Sequence, residues 1–404
     1  TLSSSSAASD VYKRQLLNKE HFDNAVNVFH ARDRSNNKKT MLVIDHYVPH
    51  FDKDAGGRCT YQYISLFNEI GMKVVFLGDN FFPHEPYTSH LQQMGVEVLY
   101  GNWYFNNITE WLKINAVNFD YVYLNRPHIS IKYIDLLKKY SNAKIIYFGH
   151  DLHYIREKRN YEVEKDEELL KSSERWKNVE FELFNKADVV YAVGSFEQAE
   201  IQHNFPQKPV RNIPLYIYDN FDGKRKTAFT ERQGLLFVGG FNHKPNYDAV
   251  CWFLKDIFPS VKEAIPGIKF FIVGSNPPED IKALQSEDII VTGFVSDETL
   301  EMYYNTCRLV IAPLRYGAGV KGKIVEAIHN QSPVITTSIG AEGLPDWTNV
   351  LTVVDDSDGF AKKIIEMYYN YDLLESISSN SVNYIKKNFT KDNALDIVLQ
   401  DIKL

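Results

Sequence analysis

Between residues 40 and 354, short apolar runs alternate with longer amphipathic stretches, and most connections are brief. Runs at 41–44, 73–77, 96–99, 121–124, 144–148, 189–193 and 210–213 read as strands buried on both faces. Stretches at 58–69, 89–94, 108–114, 131–140, 162–185 and 195–203 read as helices. A strand that rejoins its sheet through a helix runs parallel to its predecessor, so this alternation predicts a doubly wound parallel sheet. The rhythm breaks at 219–233, DNFDGKRKTAFTERQ, which reads as a linker. It then restarts, with strands at 235–238, 269–273, 289–291, 309–312, 334–337 and 351–354. Helices are expected at 247–264, 279–285, 297–305, 320–330, 360–370, 373–388 and 393–402. The expected fold class is α/β, with two Rossmann-like doubly wound domains facing across a cleft, because open parallel sheets bind ligands beyond the carboxyl ends of their strands.

The stretch 311–343, IAPLRYGAGVKGKIVEAIHNQSPVITTSIGAEG, carries the chemistry. A strand feeds a turn with Gly317, Gly319 and Gly322, and a helix follows. Glycine lets a backbone approach a phosphate, and free N–H groups and the positive helix end point at the same spot. Lys321 and Lys323 add full charge at the entrance. Lys323 and Glu326 share a helix face, so one can hold a phosphate while the other takes a sugar hydroxyl. The two lysines cannot both face one way in a regular helix, so one is expected to dominate. The competing reading is a plain crossover with solvated lysines.

At 404 residues the chain exceeds one ordinary domain, and two is the natural expectation. A net charge of −7 argues against nucleic acid as a partner. Cys59, Cys251 and Cys307 are far apart and form no CxxC pair, which fits a reducing compartment. No run of 18 apolar residues is present, so a cytoplasmic protein is expected, with peripheral contact at the inner membrane face left open and the oligomeric state unassigned. Residues 1–15, TLSSSSAASDVYKRQ, read as adapter-derived sequence and are set aside.

Taken together, these residues resemble the GT-B glycosyltransferases, family 4 in particular, over most of residues 40–400. The resemblance rests on LLFVGGFNHKPNYDAVCWFLKDIFP, on the block from IIVTGFVSDETL to TTSIGAEGL, on Asp54-Ala55-Gly56-Gly57 and on FGHDLHY at 148–154. It implies retaining transfer of a sugar from a nucleoside-diphosphate-sugar to a glycan or lipid-linked acceptor, in cell-surface polysaccharide synthesis, with no cofactor and no metal. Its implied organisation is an N-terminal extension at 1–38, partly non-native or disordered, and an acceptor domain at 39–218. The linker at 219–233, a donor domain at 234–380 and C-terminal helices at 381–404 packing back on the first domain complete it.

Residue by residue, Glu326 matches the glutamate that holds the donor ribose, and Lys321 and Lys323 match the diphosphate-binding positions of a GxGxKGKxxEA variant. Gly317 and Gly319 shape that loop, and Gly293, Phe294 and Val295 match the turn that meets the base. Gly56 and Gly57 match the phosphate and acceptor side, and His150 the histidine beside the reacting sugar. The family's first motif glutamate is absent, since Ala318 stands there. Arg315, Tyr316 or a water are the candidates to replace it. After the first donor-domain strand, either His243 or Lys244 stands as the basic residue.

Other readings stay open. His150-Asp151-x-His153 is a sugar contact, a structural hydrogen-bonded pair or a metal site. Arg126 is a salt bridge or an acceptor contact. Arg156, Lys158 and Arg159 are a solvated face or a contact to an anionic lipid-linked acceptor, and Glu342 is a turn or cleft residue. No carboxylate is placed as a nucleophile, which favours a front-side transfer over a covalent intermediate. The alternatives to transfer are a sugar-nucleotide 2-epimerase of the same fold and a non-catalytic nucleotide-binding protein. Only an epimerase makes a new sugar nucleotide from the donor alone.

Overall fold

The computed structural model describes residues 11–16, 19, 29, 38–219 and 227–404. The expected extension at 1–38 lies mostly outside the described residues, as do positions 220–226 of the expected linker. The first sheet has seven strands: β1 (Thr40–Asp45), β2 (Lys73–Gly78), β3 (Glu97–Leu99), β4 (Tyr121–Asn125), β5 (Lys144–Phe148), β6 (Val189–Ala192) and β7 (Val210–Asn212). The second has six: β8 (Leu235–Val238), β9 (Phe270–Val273), β10 (Ile289–Gly293), β11 (Leu309–Ala312), β12 (Val334–Thr336) and β13 (Leu351–Val353). Every pairing is parallel, and the orders are β3-β2-β1-β4-β5-β6-β7 and β10-β9-β8-β11-β12-β13. Both halves are thus Rossmann-like, as the alternation predicted.

In both sheets the strand order reverses beside the first strand, between β1 and β4 and between β8 and β11. That switch point opens a crevice at the carboxyl ends, where adjacent loops diverge. Strand periodicity builds the core on both sides. Met41 and Val43 pack into one apolar cluster, and Leu42 and Ile44 into another. The first cluster continues through Tyr216 and Val320 to Leu236 and Ile324 of the second half.

Several helices differ from expectation for local reasons. The helix expected at 58 is Ala55–Glu69, because the Asp54 carboxylate accepts the Gly57 N–H at 2.7 Å and caps the glycines into the first turn. The helix expected at 108 begins at Asn102, since its aromatic first turn lacks an apolar face to read. The polar stretch expected as one helix is two, His153–Glu164 and Glu167–Lys186. Lys165 takes φ +60° and Asp166 caps the second. The helix expected over 247–264 slips into a π-helical turn at Phe253–Ile257, ahead of Pro259, which has no N–H to donate.

Helix Tyr371–Asn388 runs unbroken through residue 380, where a division was expected. Beyond it, Tyr218 N–H donates to the Phe389 carbonyl at 2.9 Å. The Asp401 carboxylate takes Lys144 Nζ at 3.1 Å and Arg211 Nε at 3.0 Å, both from the first sheet. No helix among the described residues is long and apolar enough to cross a membrane.

Candidate active site

The loops at the two switch points enclose a cleft of about 920 Å³. The first half contributes Gly56 and Arg58, Arg126 after β4, and His150, Asp151 and Arg156 after β5. The second contributes Gly239, His243 and Asn246 after β8, Phe294 and Val295 after β10, and Tyr316, Ala318, Lys321, Lys323 and Glu326 after β11. Helix Gly322–His329 starts at the cleft wall, two residues later than expected. Its N-cap is Lys321, and no side chain caps it. Asp54, Ser296, Asp356 and Thr390 cap other helices with an oxygen, so the contrast is local.

A cation at the N-cap and another in the first turn oppose the helix dipole, at a cost of about 0.3–1 kcal/mol each. Lys321 Nζ turns to the Gly319 carbonyl, and Lys323 Nζ to the Asn246 amide oxygen. Neither is seen to pair with a carboxylate among the described residues. Burial pulls Lys321 down to about 8, against the pull of Glu342 and Glu197. Burial and the neighbouring Lys321 bring Lys323 to about 7. Lys321 stands at the N-cap in extended backbone, outside the regular helix, so the expected divergence does not apply and both lysines line the cleft. Lys321 lies under the glycine turn, its Cε 3.2 Å from where a Gly317 Cβ would stand. Lys323 lies against Gly239, whose Cβ would come within 2.7 Å of its Nζ.

The glycines are scaffolding as much as surface. Gly56 lines the cleft, and a Cβ there would meet Arg126 Nη2 at 2.7 Å. Gly57 does not line it: its N–H is taken by Asp54 and its Cα faces the His50 carbonyl. Gly293, at φ +73°, ends β10 and accepts the Gly274 N–H at 3.0 Å, while the neighbouring Phe294 and Val295 reach the cleft. Gly317 and Gly319 hold φ +145° and +68° and shape the turn without lining the cleft. Arg315 corrects an expectation, because Asp248 draws its guanidinium away and it lies outside the cleft lining. Tyr316 does line the cleft, with its buried hydroxyl unpartnered among the described residues. Ala318 lines it too, and His243 does so where Lys244 does not.

His150 sits at φ +70° with its ring 4.3 Å from that of Phe148. Both ring nitrogens are buried without a partner among the described residues. Burial and the Arg126 charge push it down to about 3, so the ring is neutral. Asp151 is held by Arg156 and by His153 Nδ1 at 2.8 Å, and Arg156 and His153 keep it well below the usual carboxylate range despite burial. Among the described residues, no group of three His, Cys, Asp or Glu side chains is arranged to hold a metal.

Sequence reasoning missed the residues that bridge the halves. Arg58 Nη1 meets Glu326 Oε1 at 2.9 Å, and Tyr304 donates to Oε2 at 3.2 Å. The Arg58 guanidinium lies over the Tyr216 ring at 4.8 Å. Arg159, read as a solvated face or a lipid contact, instead grips Glu342 at 2.8 and 2.6 Å and the Gly317 carbonyl at 2.7 Å. Glu197 accepts N–H groups of Leu152 and Val193 at 3.1 and 3.3 Å and abuts Gly319. Burial and the Asp151 charge push it up to about 8. No local pattern marks these side chains, because each partner lies on another element.

Glu326→Ala strips Arg58 of its carboxylate and the cleft of an acceptor. The melting temperature is expected to fall in thermal melting, because Arg58 is left without this partner. An unchanged melting temperature would mean that the pair adds nothing to stability.

The facing Rossmann-like sheets and the cleft between them define a GT-B fold. Residues 232–370 match the family model described as glycosyl transferases group 1. Sucrose-phosphate synthase from Thermosynechococcus elongatus superposes with a TM-score of 0.69 at 16% identity, covering 90% of this chain and 98% of that one. Anabaena Alr3699/HepE in complex with UDP-glucose gives 0.63 at 14% identity, covering 89% and 98%. A Klebsiella pneumoniae protein described as an uncharacterized 44.6 kDa protein in the cps region is 29% identical over 201 residues, 47% of this chain. The chain spans 50% of that relative's length. The family match lies within the second half of the chain, and the solved structures share its fold.

Proposed function

We propose that the chain is a retaining glycosyltransferase of the family 4 type. It moves a sugar from a nucleoside-diphosphate-sugar to a glycan or lipid-linked acceptor, in cell-surface polysaccharide synthesis. One observation carries the reading: an uncapped helix start with two lysines, neither paired with a carboxylate among the described residues, opening on the cleft. Each element is unfavourable alone and favourable once a diphosphate is present. The cps-region relative supports the polysaccharide setting.

In this reading the second half holds the donor. Glu326 takes ribose hydroxyls, sharing its carboxylate with Arg58, and Phe294 and Val295 meet the base. The bond from the anomeric carbon to the phosphate oxygen breaks, and its electron pair stays on the diphosphate. Lys321, Lys323 and the free N–H groups of the helix stabilise that charge. The acceptor oxygen attacks on the same face, and its proton passes to the departing phosphate oxygen. His150, neutral and without a hydrogen-bond partner among the described residues, orients a hydroxyl of the reacting sugar. Asp151 beside it is held by Arg156 and His153, which fits a front-side route rather than a covalent one.

The test is titration of UDP, the nucleotide in a second HepE complex, across pH. Bound diphosphate favours the charged lysines, so binding takes up protons above the free-state values of about 7 and 8. Affinity is expected to fall from about pH 6.5 to about 8.5, approaching tenfold per unit for each lysine above its pKa. Glu197 ionises in the same window and adds to the fall. Absence of binding to UDP and to the other nucleoside diphosphates, or affinity that rises with pH, would overturn the reading.

A further inference from the structure

Two consecutive phenylalanines after β2 part company. Phe81 is buried and Phe82 is 60% exposed, and Phe81 holds φ +53°, which a bulky residue avoids. The Phe81 carbonyl accepts the Gly101 N–H at 2.8 Å, and its ring lies 5.8 Å from that of Phe105. The loop is thereby tied to the start of helix Asn102–Asn115, where Trp103 is 59% exposed. Both segments leave the carboxyl ends of β2 and β3, on the cleft side of the first sheet.

From Phe82 the rings run inward without a gap. Phe82 meets His84 at 5.1 Å, His84 meets His50 at 4.8 Å, and His50 meets Tyr47 at 5.0 Å. Tyr47 and His50 line the cleft, and His50 Nε2 is buried without a partner among the described residues. Asn80 fixes the His84 ring at 2.9 Å. The exposed apolar surface is therefore continuous with the candidate site rather than a stray patch.

Charge says what it takes. No Lys or Arg stands between Lys73 and Lys113, and residues 99–109, LYGNWYFNNIT, carry no charge at all. The flanking cations include Lys53, over the Tyr87 ring at 5.4 Å, Lys132, tied to Asp79 at 2.6 Å, and Arg126, over the Tyr47 ring at 5.9 Å and paired with Asp45 at 2.7 Å. An anionic lipid surface would call for a basic cluster here. Flat rings interleaved with asparagines instead suit pyranose units, which offer an apolar C–H face and a hydroxyl edge.

The geometry points to a binding track for a neutral glycan chain, running from Tyr47 and His50 through His84 and Phe82 to Trp103. It rests on the glycosyl-transfer reading and gives the acceptor a chemical class: sugar units behind the accepting one lie along the rings.

An array of immobilised neutral and acidic glycans tests this with the full chain and the Phe82→Ala/Trp103→Ala variant. Neutral glycans longer than a disaccharide are expected to be retained, at least about tenfold more weakly by the variant. Retention of no glycan, preference for acidic ones, or equal retention by the variant overturns the track. So does sedimentation with phosphatidylglycerol vesicles that the variant loses, without glycan retention. The UDP-induced melting shift of the same wild-type sample separates the two ideas. A shift without glycan retention sinks the track alone, and no shift with UDP or any other nucleoside diphosphate sinks the transfer reading.

Discussion

Replacing Lys321 and Lys323 together with alanine is expected to cut turnover at least about 10³-fold, because the leaving diphosphate then loses both full charges that face it. The same change should leave the ligand-free protein as stable or more so. Both ammonium groups are half-buried at the cleft wall, on a carbonyl and an amide, and both oppose the helix dipole. Alanine removes that conflict, and thermal melting is expected to hold or rise by the equivalent of about 1 kcal/mol. Nucleotide release from the best donor, measured beside melting, checks the pair of outcomes. Normal turnover in the double variant would rule out the phosphate assignment. Lost turnover with a collapsed melting temperature would mean the lysines are structural.

His150→Ala is the second large effect, expected at about 10²-fold in kcat with nucleotide affinity nearly unchanged. The ring is neutral, and its two nitrogens have no partner among the described residues, so nothing in the ligand-free fold accounts for them. Its backbone lies at φ +70°, so alanine also adds strain. His150→Asn controls for that, since asparagine tolerates this conformation and keeps a polar group. It is expected to recover part of the rate. A defect confined to nucleotide binding, with kcat intact, would contradict a place beside the reacting sugar.

The strands were legible because buried parallel strands read as apolar runs wherever they fall. Leu42 and Val43 declare a two-sided sheet without reference to any distant residue. The same holds for the glycine turn and the lysines, since strand, turn and helix start are contiguous from Ile311 to Glu326. The helix limits at Ala55, Asn102 and Lys165 were less legible, because a cap, an outward aromatic turn or one left-handed residue decides them.

By itself, then, the chain determined the class of fold and the glycine turn with its two lysines, both being properties of neighbouring residues and short periodicities. Tertiary structure alone decided which side chains meet across the cleft. It turned Arg315 away to Asp248, set Arg58 on Glu326 and Arg159 on Glu342, and left His150 without a hydrogen-bond partner among the described residues. Those choices join elements as far apart as residues 58 and 326, and what a guanidinium finds there depends on how two sheets pack, which no local pattern records.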